Sequence, residues 1–206
     1  MLDLLFSNPI IFLTFFPGLI AAITIHEFAH AWMADRLGDP TPRVQGRVTL
    51  NPLAHLDPLG TLAMLLTRFG WGKPVEFDPY NLKNPTRDTA LIALAGPASN
   101  IILAILISGT RFLINTDNAI VSLVLIQLIF VNLSLAIFNL IPIKPLDGEK
   151  ILYSLLPKET AFEYRKFMDQ WGLFVLIALI FPIFGGVSPV SRLVSPIISF
   201  LADLLI

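Results

Sequence analysis

Three runs of apolar residues, at roughly 9 to 37, 88 to 112 and 119 to 141, decide most of what this chain can fold into. Each is long enough to cross a hydrocarbon core of about 30 Å, which takes about 20 helical residues. Backbone polar groups at that depth have no water to bond, so the spans must be helices. The expected fold is an all-α polytopic membrane protein with three core transmembrane helices. The composition agrees, with 55% hydrophobic and 14% charged residues and a mean hydropathy of +0.75.

The tail from Trp171 to Ile206 is also apolar, but Pro182, Gly185-Gly186 and Pro189 interrupt it. Such breakers predict a C-terminal helical hairpin over about 165–206 rather than one more span. Leu59 to Phe69 is apolar but too short to cross, so it is expected to lie in the interface or re-enter. No internal repeat or long polar linker is visible, and residues 1–206 read as a single membrane-embedded domain with its core at about 9–155.

Charge placement orients the spans. Seven Lys/Arg lie between Arg36 and Arg87 and five between Lys144 and Lys166, whereas only Arg111 is near the Asn115 loop and the first eight residues have none. The positive-inside rule then predicts cytoplasmic loops after the first and third spans, and an outside N-terminus. The first span lacks a basic leader and runs past the length of a signal-peptide core, so it reads as a retained helix. A net charge of −1 without a basic surface excludes nucleic-acid binding. The absence of cysteine excludes disulfides and thiol catalysis.

On the cytoplasmic side, Arg43 to Leu50 partly alternates and is rich in β-formers, and Pro74 to Phe77 is another extended candidate. Together they predict a small β element there. Glu149 to Gln170 mixes charge with apolar residues at helical spacing, as an amphipathic helix on the membrane surface would.

The chemistry is concentrated in His26-Glu27-Phe28-Ala29-His30, inside the first span. At 3.6 residues per turn, positions 26 and 30 share one helix face, so both imidazoles can bind one tetrahedral metal. Glu27 lies about 100° around the helix and can reach a water at that metal without being a ligand. The chain has three histidines and spends two of them here. Ionisable groups at membrane depth carry a penalty of order 2.5–3.5 kcal/mol for central charges, which favours function over coincidence; the competing reading is a hydrogen-bonded His pair.

A catalytic zinc needs a third protein ligand and an open position. Asp147 is the candidate. It follows Asn139-Leu140-Ile141-Pro142-Ile143-Lys144-Pro145-Leu146, where two prolines free backbone that is tolerated at membrane depth only along a buried or watery cavity. Span three returns toward the side on which His26 stands, about 16 Å from the end of its span. Both halves would then meet in the cytoplasmic half of the bilayer. Asp147 could instead cap the helix beginning near Glu149. His55 and Asp57 are weaker ligand candidates in a Pro-rich turn. Asn100, inside span two, reads as a helix-packing residue, with a direct role left open. Gly96 and Ala98 read as a close helix contact.

HEFAH in a membrane helix, followed far downstream by Asn139-x-x-Pro142-x-x-Pro145-Leu146-Asp147-Gly148, resembles the site-2 protease family of intramembrane zinc metalloproteases, in a compact microbial-type form. Similarity extends to Asn51-Pro52-Leu53-Ala54-His55-Leu56-Asp57-Pro58-Leu59-Gly60, to Gly70-Trp71-Gly72-Lys73-Pro74-Val75 and to Gly96-Pro97-Ala98-Ser99-Asn100, covering about residues 20 to 155. The resemblance implies one Zn2+ per chain held by His26, His30 and Asp147, with Glu27 as base and membrane-spanning proteins as substrates. It further implies that Asn139 positions the scissile carbonyl or its oxyanion, although Asn139 could equally satisfy backbone opened by Pro142. Larger relatives carry PDZ or CBS-like domains that are not visible here, so recognition is expected from the membrane core or from partners. The Arg43 to Leu50 segment is expected to offer an edge to which an unwound substrate adds as a strand.

The expected activity is hydrolysis of a peptide bond in or beside a substrate's transmembrane helix. The rival is a catalytically silent membrane protein that binds or transports metal. A transporter has no need of Glu27 and would usually repeat its ligand motifs.

Overall fold

The computed structural model describes residues 2–67, 70–182 and 186–206. Nine α-helices are present among them: α1 (Leu2–Ser7), α2 (Pro9–Leu37), α3 (Thr41–Val44), α4 (Pro58–Thr67), α5 (Pro85–Ile114), α6 (Ala119–Asn139), α7 (Asp147–Leu155), α8 (Lys158–Ile180) and α9 (Pro189–Leu205). Three of these, α2, α5 and α6, are long and apolar enough to cross a membrane. Their bounds fall close to the three apolar runs of the sequence.

Local signals set those bounds. Helix α2 starts at Pro9, whose missing N–H costs nothing at a first position, with the Asn8 side chain accepting from Ile11 N at 3.4 Å. It stops at Gly38, whose φ of 111° is open to glycine and turns the chain out of the helix. Helix α5 likewise starts at Pro85 and ends at a left-handed Asn115. Asn118 then caps α6 by accepting from Ile120 N and Val121 N at 3.0 and 3.2 Å.

The three long helices pack on one another as a triangle, with α5 touching both α2 and α6 along their lengths. Where α2 meets α6, Gly18 faces the Leu128 side chain, whose Cδ2 lies 2.5 Å from where a Cβ would stand. Helices α8 and α9 pair as the expected hairpin; α9 leans on α6, burying Ala104, Ile129, Leu133 and Ala202 together. A second cluster joins Leu176, Val190 and Val194 of the hairpin to Ile141, Ile143 and Leu146 of the turn after α6. The C-terminal hairpin therefore braces the turn that carries Asp147.

Two expectations need correction. Among the described residues there is no strand; the nearest approach is one isolated antiparallel bridge between Leu56 and Gly72. Pro42 presets a helical φ, so Thr41–Val44 closes into a turn with Val44 N to Pro40 O and Gln45 N to Thr41 O both at 3.0 Å. Gly46, at φ 69°, then reverses the chain. The N–H groups of Arg47 and Thr49 are taken up locally by Pro42 O and Arg47 O, which leaves no strand edge at Arg43 to Leu50. Pro74 to Phe77 runs without strand pairing. The single amphipathic helix expected over Glu149 to Gln170 is two helices, broken at Leu156-Pro157 because the residue before proline is driven out of helical geometry. Leu59 to Phe69 forms the short helix α4 as far as Thr67, with Arg68 and Phe69 outside the described residues.

Candidate metal centre

His26 and His30 stand one turn apart on α2, their rings meeting edge to face with centroids 4.6 Å apart. Both are buried, as is Asp147. Asp147 Oδ2 lies 3.1 Å from His26 Nε2 and 3.2 Å from His30 Nε2. One ligand atom from each of the three residues falls within 4.8 Å of the others, and it is the one such group of His, Asp and Glu among the described residues. Residues 26 and 147 thus meet across 121 positions of chain.

The helix-cap reading of Asp147 fails. It is the first residue of α7, its side chain makes no cap, and it points at the imidazoles instead. Gly148 makes this possible: a Cβ there would sit 2.3 Å from Leu140 O and 2.5 Å from Ile141 O, so the start of α7 is pressed directly onto the turn.

The hydrogen-bond network assigns the tautomers. Asn100 Nδ2 donates to Ala22 O at 3.1 Å and to Asn132 Oδ1 at 2.8 Å, which leaves Asn100 Oδ1 to accept from His26 Nδ1 at 2.7 Å. His30 Nδ1 donates to Ile92 O at 2.7 Å, a carbonyl that can only accept. Pro97, which has no N–H to give the Ala93 carbonyl, sits one turn along α5 from this contact. With Nδ1–H used on the far side of each ring, both Nε2 lone pairs face a carboxylate oxygen. Three acceptors converge with no donor of their own, and a cation is what satisfies them. Two imidazoles and a carboxylate are a donor set that zinc takes.

Gly96 of α5 closes the back of the centre. A Cβ there would lie 2.3 Å from His30 Nε2 and 2.7 Å from His26 Cε1. The close helix contact expected at Gly96 is therefore contact with the two rings themselves.

Glu27 and Asn139 line the same cleft as the three ligand candidates, a space of about 340 Å³. Its outer wall is Gly70–Val75, seated on α4 through glycines: a Cβ on Gly60 would meet Trp71 O at 2.1 Å, and one on Gly70 would meet Gly60 O at 2.3 Å. Asn139 Nδ2 donates to Leu135 O at 2.9 Å, one turn back in α6. A larger, shallower cleft of about 630 Å³ lies along α7 and α8, lined by Tyr153 and Arg165 among others, and none of the ligand candidates borders it.

His55 and Asp57 serve the scaffold. His55 is fully buried with Nε2 bonded to Thr49 O at 2.7 Å, and burial pushes its pKa below the usual imidazole value. Asp57 accepts from Gly60 N at 2.7 Å at the start of α4. What the sequence did not yield was the partnership of Asn100 with His26, nor Asn132 behind it. An amide placed inside an apolar span is costly, and that cost was the available signal.

The profile of peptidase family M50 matches residues 113–181, the stretch holding Asn139 and Asp147. YwhC of Bacillus subtilis, provisionally named a zinc metalloprotease, is 37% identical over 170 residues, 78% of this chain and 77% of YwhC. The chain belongs to the M50, or site-2 protease, family. Rip2 of Mycolicibacterium smegmatis, also provisionally named a zinc metalloprotease, is 31% identical over 177 residues, 82% of this chain and 67% of Rip2. Stage IV sporulation protein FB of Bacillus subtilis is 27% identical over 155 residues, 70% of this chain and 51% of its own length. No solved structure matches the chain significantly.

Proposed function

We propose that this M50 zinc metalloprotease holds one Zn2+ through His26, His30 and Asp147, uses Glu27 as its general base, and cuts membrane-spanning proteins in or near their transmembrane segments. The observation that carries the reading is the convergence of His26 Nε2, His30 Nε2 and Asp147 Oδ2 in a buried cleft that Glu27 also lines. When bound, zinc lowers the pKa of a water toward 7 and polarises a carbonyl.

The chain's own residues supply the rest. Asn100 and the Ile92 carbonyl fix the two rings with Nε2 inward. Glu27 takes a proton from the attacking water and passes it to the leaving amine. Asn139 orients the scissile carbonyl, for which its amide must leave Leu135 O and turn into the cleft. A helical peptide bond is shielded by its own hydrogen bonds, so the substrate must unwind, and helix breakers near the cut should help.

The charge pattern supports an N-terminus outside, with the centre in the cytoplasmic half of the cell membrane. One ligand cluster among the described residues, with a carboxylate poised beside it, favours hydrolysis over metal transport. Glu27→Gln tests the reading. Cleavage of a single-span peptide should vanish while about one zinc per chain remains by elemental analysis. Retained cleavage in Glu27→Gln, or cleavage that survives complete removal of zinc, would refute it.

A further inference from the structure

Arg47 is the one cation within ion-pair distance of Glu27 among the described residues, with Nη2 4.0 Å from Glu27 Oε2. It is 3% exposed, an unusual place for a guanidinium. Its Nη1 donates to Ala54 O at 2.6 Å and its Nη2 to Lys73 O, while its buried Nε has no partner among the described residues. A side chain needed only to tie two loops together would not have to turn its charge toward a carboxylate on α2. The loop tie has a second bond of its own, from Lys73 N to His55 O at 2.8 Å.

The surroundings of Glu27 give this contact its weight. Its side chain is 15% exposed and faces the cleft, with Oε1 on the Gly72 side and Oε2 on the Arg47 side. A carboxylate on a three-bond stem has several rotamers available in a cleft of that size. Arg47 is itself immobilised by the two carbonyls, so its position is fixed before Glu27 chooses a rotamer.

We propose that Arg47 is a positioning residue for the hydrolysis: its immobilised guanidinium selects the Glu27 rotamer that faces the attacking water and ties that rotamer to the Gly70–Val75 wall of the cleft. The proposal rests on Glu27 acting as base.

The test uses the full chain in lipid nanodiscs with a single-span peptide substrate, reading kcat and KM separately together with zinc content and thermal midpoint. Arg47→Gln should lower kcat about 100-fold, the scale on which small misplacements of a reacting group cost rate. KM should stay within about threefold and zinc at about one per chain. Arg47→Lys keeps the charge without the fork, and it should recover at least a tenth of the wild-type kcat. If Arg47→Gln does not fold, Arg47→Lys carries the test alone by the same criterion. Unchanged kcat in folded Arg47→Gln overturns the proposal, as does a loss that follows zinc or thermal midpoint. A Lys variant that folds with zinc yet has no more than a hundredth of the wild-type kcat also overturns it. Glu27→Gln in the same preparation separates the two ideas, because activity there would remove the base assignment whatever Arg47 does.

Discussion

His26 and His30 are one turn apart on α2, wedged among the long helices and backed by Gly96, whereas Asp147 stands at the end of a proline-broken turn that α8 and α9 hold in place. The histidines owe their spacing to helix geometry, which is set locally and resists change. The aspartate owes its position to packing between residues far apart in sequence: Leu176, Val190 and Val194 on one side, Ile141, Ile143 and Leu146 on the other. Polar ties add to that brace, from Tyr164 Oη to Pro142 O at 2.8 Å and from Lys144 Nζ to Asp169 Oδ1 at 2.5 Å. The difference teaches that one half of the centre is rigid and the other adjustable. Displacing the two rings themselves should destroy the centre, while damage to the turn should weaken it by degrees.

The largest expected effect is on the helical side. Gly96→Ala would press a methyl against both rings, which Asn100 Oδ1 and Ile92 O already hold by their far nitrogens. Zinc content should fall from about one per chain to near zero, and cleavage with it. Gly96→Ala with full zinc would break the contrast at its rigid end.

Gly148→Ala comes next, because its Cβ would meet backbone carbonyls and must push Asp147 away from the rings. Competition with a chelator of known strength should show zinc held on the order of 100-fold more weakly or worse, beyond what the loss of a partner behind a ligand costs. The His pair should remain in place, visible as retained weak zinc binding that Gly96→Ala lacks.

Asn100→Ala should cost a further step less, about 10- to 100-fold in zinc affinity, as partners of metal-bound histidines usually do. Its loss frees the His26 ring to rotate and leaves Asn132 Oδ1 without its donor. Full affinity in the same competition assay would mean that the close packing against Gly96 alone orients the ring.

Tyr164→Phe should have the smallest effect. Burial and the nearby charge of Glu149 push the phenol pKa up to about 12, so the hydroxyl remains a donor to Pro142 O at any working pH. Losing one such bond costs about 1 kcal/mol, which lowers the thermal midpoint slightly and leaves zinc content unchanged. A loss of zinc as large as in Gly148→Ala would show that the brace hangs on this one tie.

Much of this arrangement was legible in the residues. The apolar runs, the proline starts at Pro9 and Pro85 and the stop at Gly38 located the long helices, because those signals act within a few residues. His26 and His30 followed from spacing alone. Asp147 could be reached by asking for a third ligand, but its rival reading as a helix cap needed the position of α7 to be excluded. The Asn100–Asn132 pair joins α5 to α6 through residues 32 positions apart in sequence, and no local pattern encodes that register. The strand expected at Arg43 to Leu50 does not form because Pro42 and Gly46 outweigh β-propensity, and because Arg47 is turned inward toward Ala54, Lys73 and Glu27.

X-ray absorption at the zinc edge, on the purified protein and on Asp147→Ala, tests the joining of the two halves most directly. The wild-type ion should show two imidazole nitrogens at about 2.0–2.1 Å and a carboxylate oxygen at about 2.0–2.2 Å. In Asp147→Ala the carboxylate contribution should disappear and the zinc content should drop. An identical spectrum at undiminished occupancy in Asp147→Ala would mean that the aspartate never touches the ion.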